Sequence, residues 1–285
     1  MRRVLLGFGL ILLSLNAACV TNPATGRSQF NALSTEQEIA IGTQAMPELI
    51  EGYGGVVPDP ALRDYVTRIG MSMVPYTEAH FPELPWEFTF LNSSVINAFA
   101  LPGGKVFVSR ALVERMTSEA QLAGVLGHEI GHVTAQHVDD KLARQTGLEI
   151  GAAVIGVIAG QSQVQGAVEL ANLAVTGAGV YALKFDRNQE SESDSLGMRY
   201  MTKAGYKPRG MLEVMEILKA AGGGGGQPEW MSTHPLPTTR IDRISNELKK
   251  KKYRETDSDP TLGTFEDRFE RECLSRLRTL PPPAK

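Results

Sequence analysis

The spacing of apolar residues changes several times along this chain, and each change marks an element. Val4 to Leu15 is an uncharged apolar run, followed by a polar stretch, Val20 to Ala32, with turn signals at Asn22-Pro23 and Thr25-Gly26. Ser34-Thr35-Glu36-Gln37 has the form of a capping box, so a helix is expected from there to about Ile50. After a loop over Gly52 to Pro58, Asp59-Pro60 supplies an N-cap and a proline at the first helical position. The helix it opens carries Leu62, Tyr65, Val66 and Ile69 at core spacing and ends near Val74-Pro75.

The pattern then switches to strands. Trp86 to Phe90 alternates, and Ile96 to Leu101 and Lys105 to Ser109 follow after Asn92-Ser93-Ser94 and Pro102-Gly103-Gly104, which predicts a small antiparallel sheet. Ser118-Glu119-Ala120-Gln121 is a second capping box, opening a helix that is expected to reach about Val138. Gly124, Gly127 and Gly131 form a bare stripe on it. Each glycine costs about 1 kcal/mol against alanine in a helix interior, so a second helix or a substrate must approach this backbone. Leu148 to Leu183 is small and apolar but divided by Gln161 to Gln165, so neither half spans a bilayer. It reads as two packed helices forming a lid or wall, with a membrane-resting hairpin as the alternative. Phe265, Phe269, Cys273 and Leu277 share a later helical stripe that packs back on the domain, after a basic, solvated Lys249 to Arg254.

Composition narrows the class. The 285 residues, 42% hydrophobic and 21% charged, are those of an ordinary globular protein able to bury a core. With a net charge of −3 and no basic stripe, nucleic acid is not an expected partner. Arg2-Arg3, the apolar run and Ala17-Ala18 read as a signal peptide. Ala17-Ala18-Cys19 resembles a bacterial lipobox, in which Cys19 carries the lipid anchor; Cys273 is then a free, buried thiol. The expected organisation is a signal peptide over 1–18, a tether over 19–33, a catalytic domain over 34–250 and a tail over 251–285 with a short packing helix.

The candidate chemistry lies in His128-Glu129-Ile130-Gly131-His132. Residues four apart share a helix face, so both imidazoles can point at one metal ion while Glu129 stands beside the open position as a base. Catalytic metal sites take three protein ligands, and Glu190, 58 residues past His132, is the best candidate for the third. Asp194, one turn on, can accept a hydrogen bond from a ligand histidine and fix its tautomer. Glu192 and His137, projected on straight helices, are expected to point away and be solvated. His234 follows a flexible Gly222 to Gly226 run within Thr233-His234-Pro235, with Arg240 beyond.

These residues resemble the gluzincin family of HtpX and Oma-type peptidases, in particular its periplasmic BepA and LoiP branch. The resemblance is carried by Cys19 to Pro23, Asn97 to Gly104, His128 to His132, Arg187 with Glu190 to Asp194, and Ser232 to Pro235, in family order over most of the chain. It implies a mostly helical α+β zincin with a small sheet beside the active-site helix. It further implies one Zn2+ per chain on His128, His132 and Glu190, with Glu129 as base and Asp194 behind a ligand. His234 approaches the ion and Arg240 lies near the site. His234 stabilises an oxyanion, displaces the catalytic water, or is a plain loop histidine at a helix start. Strand residues Asn97, Ala98 and Phe99 are candidates to hold an extended substrate, or form a plain structural hairpin. Asp186 and Ser193 stand where family members commonly carry Ser and Ala, and Asp186 is expected to add charge near the metal. The implied function is hydrolysis of internal peptide bonds in unfolded or misassembled envelope proteins, in the periplasm at the outer membrane and near its assembly machinery. The alternatives are a non-proteolytic assembly factor and an intramembrane-type protease walled by residues 148–183.

Overall fold

The computed structural model describes residues 19–31, 33–144, 184–222, 228–234 and 237–283. The fold is α+β and mostly helical, built around one buried helix. The signal segment, the apolar stretch 148–183 and most of the glycine run lie outside the described residues. No helix among the described residues is long and apolar enough to cross a membrane.

The first elements form as their caps predict. A short pair, β1 (Cys19–Thr21) and β2 (Ser28–Phe30), is followed by α1 (Thr35–Gly52), which opens on a complete capping box between Ser34 and Gln37. In α2 (Pro60–Met73), Asp59 accepts from the Ala61 and Leu62 amides, and Leu62, Tyr65, Val66 and Ile69 face the core. The sheet has the order β3-β5-β4, with β3 (Glu87–Leu91), β4 (Ala98–Leu101) and β5 (Lys105–Ser109). It corrects the all-antiparallel expectation, because β3 runs parallel to β5 while β4 and β5 form the antiparallel hairpin. The hairpin turns at Gly103 and Gly104, both at positive φ, and inserts β5 between its neighbours. A Cβ on Gly103 would lie 2.5 Å from the Ile39 Cα of α1, so this turn also packs where only glycine fits.

After the short α3 (Arg110–Val113) comes α4 (Glu119–Thr134), buried at every residue. The glycine stripe admits helices, which decides between the two expected visitors. Gly124 meets the backbone of Gly210 and Met211 in α6 (Arg209–Gly222), while Gly127 meets Gly197 and Gly131 meets Ser193, both in α5 (Arg187–Lys203). The Ser193 hydroxyl donates to the His128 carbonyl, tying α5 to α4 at that crossing. Asp186 is the N-cap of α5, accepting from the Asn188 and Gln189 amides at 2.8 and 3.0 Å, so its charge serves the helix start.

Helix α4 stops earlier than its pattern predicts. Gln136 takes φ 53°, the chain turns, and helix resumes over 137–144 in a new direction. A left-handed residue other than glycine costs about 1–2 kcal/mol. The segment expected to be a tether offsets that cost. It is a docked hairpin in which buried Asn22 donates to the Thr134 carbonyl at 3.0 Å, and Gln29 donates to the Gln136 side chain at 2.8 Å. At the far end of the chain, Phe269, Cys273 and Leu277 bury into the same core as α2, as their stripe predicts. Arg110 donates to the Leu277 and Pro281 carbonyls, and Arg268 pairs with Glu119 at the start of α4. Burial pushes the Cys273 thiol up to about 12, so it stays protonated.

Candidate metal centre

Helix α4 projects His128 and His132 one turn apart on one face, with their Nε2 atoms 3.0 Å from each other. Helix α5 crosses at the glycine stripe and delivers Glu190, whose Oε1 lies 3.3 Å from His132 Nε2 and whose Oε2 lies 3.7 Å from His128 Nε2. His234, just past α7 (Trp230–Thr233), completes a group of four buried residues whose ligating atoms all lie within 4.8 Å of one another. Nitrogen and oxygen ligands about 2.1 Å from a tetrahedral ion sit about 3.4 Å apart, close to the spacing of the first three.

The chemistry of this group fits a cation. Among the described residues neither Glu190 oxygen takes a well-formed hydrogen bond, nor does His234 Nε2, although all are buried. Arg240 faces Glu190 Oε2 from behind, which leaves Oε1 and the three imidazole nitrogens converging on a space that a cation would fill. Burial accordingly pushes the Glu190 carboxyl well above its usual range. It pushes His132 and His234 well below theirs and His128 down to about 4. Neutral imidazoles are the form that ligates metal.

Behind His128 stands an ionic cluster. Its Nδ1 lies 3.0 Å from Asp194 Oδ1. Arg240, in α8 (Pro237–Leu248), reaches Asp194 Oδ1 with Nη2 and Glu190 Oε2 with Nη1, both at 2.5 Å. Arg243 Nη2 reaches Asp194 Oδ2, also at 2.5 Å. Burial alone would raise the Asp194 carboxyl, but Arg240 and His128 outweigh it and hold it below the usual range. Arg240 is 4% exposed and stacks over the Trp230 ring at 4.7 Å, so its guanidinium is enclosed between that ring and the two carboxylates.

Glu129 is fully buried beside the group, with Oε1 3.8 Å from His234 Nε2. Burial raises its carboxyl to about 8, against smaller opposing pulls from Trp230 and Arg240. His234 is held by Trp230, whose indole stacks on it at 4.7 Å and 4° and whose carbonyl lies 3.2 Å from His234 Nδ1. Sequence reasoning missed Trp230; the only hint was a rare tryptophan four residues before the histidine.

Three expectations change. His137 is fully buried, not solvated, with Nδ1 2.9 Å from His132 Nδ1 and Nε2 3.1 Å from Glu192 Oε2. Glu192 is likewise drawn in. His137 moved because the turn at Gln136 breaks the straight-helix projection on which it was placed, and Glu192, on the unbroken α5, is met there by His137 and by Arg27. At the expected substrate strand, β4 is an edge strand, but Phe99 is 4% exposed, and its ring stacks on Phe107 at 4.6 Å as part of the core. Asn97 donates to the Tyr53 hydroxyl at 2.8 Å, the Tyr53 hydroxyl bonds Glu229, and the Trp230 amide reaches the Ile96 carbonyl at 3.4 Å. The segment carrying His234 therefore packs on Ile96 and Asn97, the residues leading into that edge. Cys19 begins β1.

Comparison with known proteins agrees with this arrangement. The model of peptidase family M48 matches residues 60–248, from α2 to the end of α8. A beta-barrel assembly-enhancing protease of Escherichia coli K12 is 30% identical over 230 residues, covering 79% of this chain and 47% of that protein. The mitochondrial metalloendopeptidase OMA1 of Schizosaccharomyces pombe is 28% identical over 257 residues, covering 86% of this chain and 73% of that protein. OMA1 of Arabidopsis thaliana is 32% identical over 158 residues, 55% of this chain and 30% of that protein. The chain thus spans about half the length of the beta-barrel assembly-enhancing proteases it matches. A family match over most of the chain, enclosing both imidazoles, Glu190, His234 and Arg240, leads to one conclusion: this chain belongs to peptidase family M48.

Proposed function

We propose that the chain is a zinc metalloendopeptidase in which His128, His132 and Glu190 hold the ion and Glu129 is the general base. The observation that carries this reading is the convergence of two Nε2 atoms and an otherwise poorly bonded carboxylate, with a second buried carboxylate alongside. When bound, zinc would polarise the scissile carbonyl and lower the pKa of water to about 7. Glu129, buried beside the ligand group with Oε1 3.8 Å from His234 Nε2, is placed to take the proton from the attacking water and return it to the leaving amine once a bound cation holds its carboxylate ionised. Asp194 keeps the proton of His128 on Nδ1, leaving its Nε2 lone pair for the ion.

In this conformation His234 stands among the ligands and its segment packs on the residues leading into the β4 edge, which supports a resting state. The segment moves aside before an extended substrate pairs with the strand. The likeness to beta-barrel assembly-enhancing proteases, together with the lipobox-like Cys19, supports a substrate class of misassembled envelope proteins at the outer membrane. The test compares purified parent and Glu129→Gln on an unfolded protein, with zinc content measured. The proposal expects one zinc in each, with cleavage at least 100-fold slower in the variant. Equal cleavage by both contradicts it. Zinc bound in both with no cleavage by either supports the non-proteolytic assembly role.

A further inference from the structure

The proton on His128 is set by Asp194, but among the described residues no carboxylate touches the outer nitrogen of His132; another histidine does. We propose that His137, backed by Glu192 and Arg27, is a positioning residue that fixes the ring of His132 with its Nε2 lone pair toward the metal. The inference rests on the metallopeptidase reading above and extends it to residues outside the metal-ligand motif.

The hydrogen bonds permit one consistent arrangement. His137 Nε2 faces a carboxylate oxygen of Glu192 at 3.1 Å, so that nitrogen carries the proton. A neutral imidazole then has a bare Nδ1, which can only accept, and its partner at 2.9 Å is His132 Nδ1. His132 must therefore donate from Nδ1, which leaves Nε2 free to ligate. The opposite assignment would place a proton on His132 Nε2, 3.0 Å from the Nε2 of His128 and aimed into the ligand group. Packing prevents the ring from swinging away. Phe185 lies 4.0 Å from the His132 ring centroid on one side, and the His137 ring lies 4.9 Å away, edge-on.

The support continues outward to the N-terminal hairpin. Glu192 Oε1 is 3.4 Å from Arg27 Nε, and Arg27 Nη1 is 3.3 Å from Asp140 Oδ2. Arg27 lies just before β2, whose residue Gln29 also holds Gln136, the left-handed residue that turns His137 back onto His132. The hairpin thus supports both the backbone turn and the charge partner of Glu192. This explains why a segment so far from the metal ligands in sequence packs against the end of their helix.

The test measures metal binding on the full chain, apart from peptide cleavage. Zinc dissociation constants come from chelator competition, and Co2+ serves as a visible-absorption probe of ligand geometry. His137→Phe keeps the packing and removes the acceptor; His137→Gln restores an acceptor oxygen. His137→Phe is expected to bind zinc ten- to a hundredfold more weakly, with altered Co2+ bands, and His137→Gln to recover most of both. The melting temperatures of the metal-free proteins should stay close together. If His137→Phe matches the parent in zinc affinity and Co2+ spectrum, or if the glutamine variant is as weak as the phenylalanine one, the positioning role is overturned. If His137→Phe does not fold, the parent-to-glutamine comparison decides, a hundredfold loss there overturning the role. A parent that takes up neither ion overturns the metallopeptidase reading along with it.

Discussion

His128 and His132 leave one helix a turn apart and meet at their Nε2 atoms, yet the protein supports them differently. Behind His128 is a dense ionic cluster, Asp194 with Arg240 and Arg243, which also braces Glu190. Behind His132 is a neutral imidazole, and a carboxylate only one residue further out. The difference has an energetic consequence. Buried charges that neutralise one another are held in place by the cost of separating them, so the His128 side serves the fold as well as the metal. The His132 side has little charge to strand, so it can be altered at the expense of metal affinity alone.

The largest expected effect breaks the ionic side. Asp194→Ala leaves Arg240 buried with one carboxylate partner fewer, and the metal-free protein should lose about 3–5 kcal/mol in urea unfolding. His137→Phe should leave that measurement nearly unchanged. If the two variants lose the same stability without metal, the contrast between the two sides does not exist.

A smaller effect tests the crossing that brings both sides together. A Cβ at Gly131 would lie 2.7 Å from Ser193 Oγ and 2.8 Å from its carbonyl oxygen. Gly131→Ala should therefore push α5 from α4 at about 1–3 kcal/mol of stability and weaken zinc binding by displacing Glu190. An alanine variant with the parent's stability and affinity would show that the close approach is not needed.

A further effect is a difference of sign with pH. Asp194 is held below its ordinary 3.8, so it contributes stability above that pH, lost as pH falls through its folded value. Glu38, which shares with His132 the lining of a small cavity, behaves in the opposite way. Burial and Asp139 raise its carboxyl from 4.5 to about 8, so the folded chain holds an extra proton between those values and stability falls as pH rises through them. Glu38→Gln should melt higher than the parent above pH 8, with the difference vanishing below 4.5. A difference independent of pH would mean that Glu38 titrates alike in the folded and unfolded chain.

What was legible in the sequence was what depends on local geometry or on spacing within one element. The i, i+4 pair on α4, the caps at Ser34, Asp59 and Ser118, and the packing stripe through Phe269, Cys273 and Leu277 follow from the chain's own periodicity. The glycine stripe predicted a close approach but not the visitor, which needed α5 and α6 in place. The rest was set by tertiary contacts. The parallel pairing of β3 with β5 depends on where the β4–β5 hairpin inserts. His137 was out of reach because its position depends on a left-handed Gln136, and that conformation depends on a hairpin more than a hundred residues away. That Arg240 pairs with Glu190 and Asp194 together could not be read from spacing, because the two carboxylates meet it only across the packing of α8 on α5.

The central claim is that one ion sits between the two Nε2 atoms and the Glu190 carboxylate. Anomalous diffraction at the zinc absorption edge, from crystals of the zinc-loaded chain, tests it most directly. The account predicts a single peak about 2.0–2.2 Å from His128 Nε2, His132 Nε2 and a Glu190 oxygen. A peak ligated elsewhere, or none at this group under full zinc loading, would contradict it.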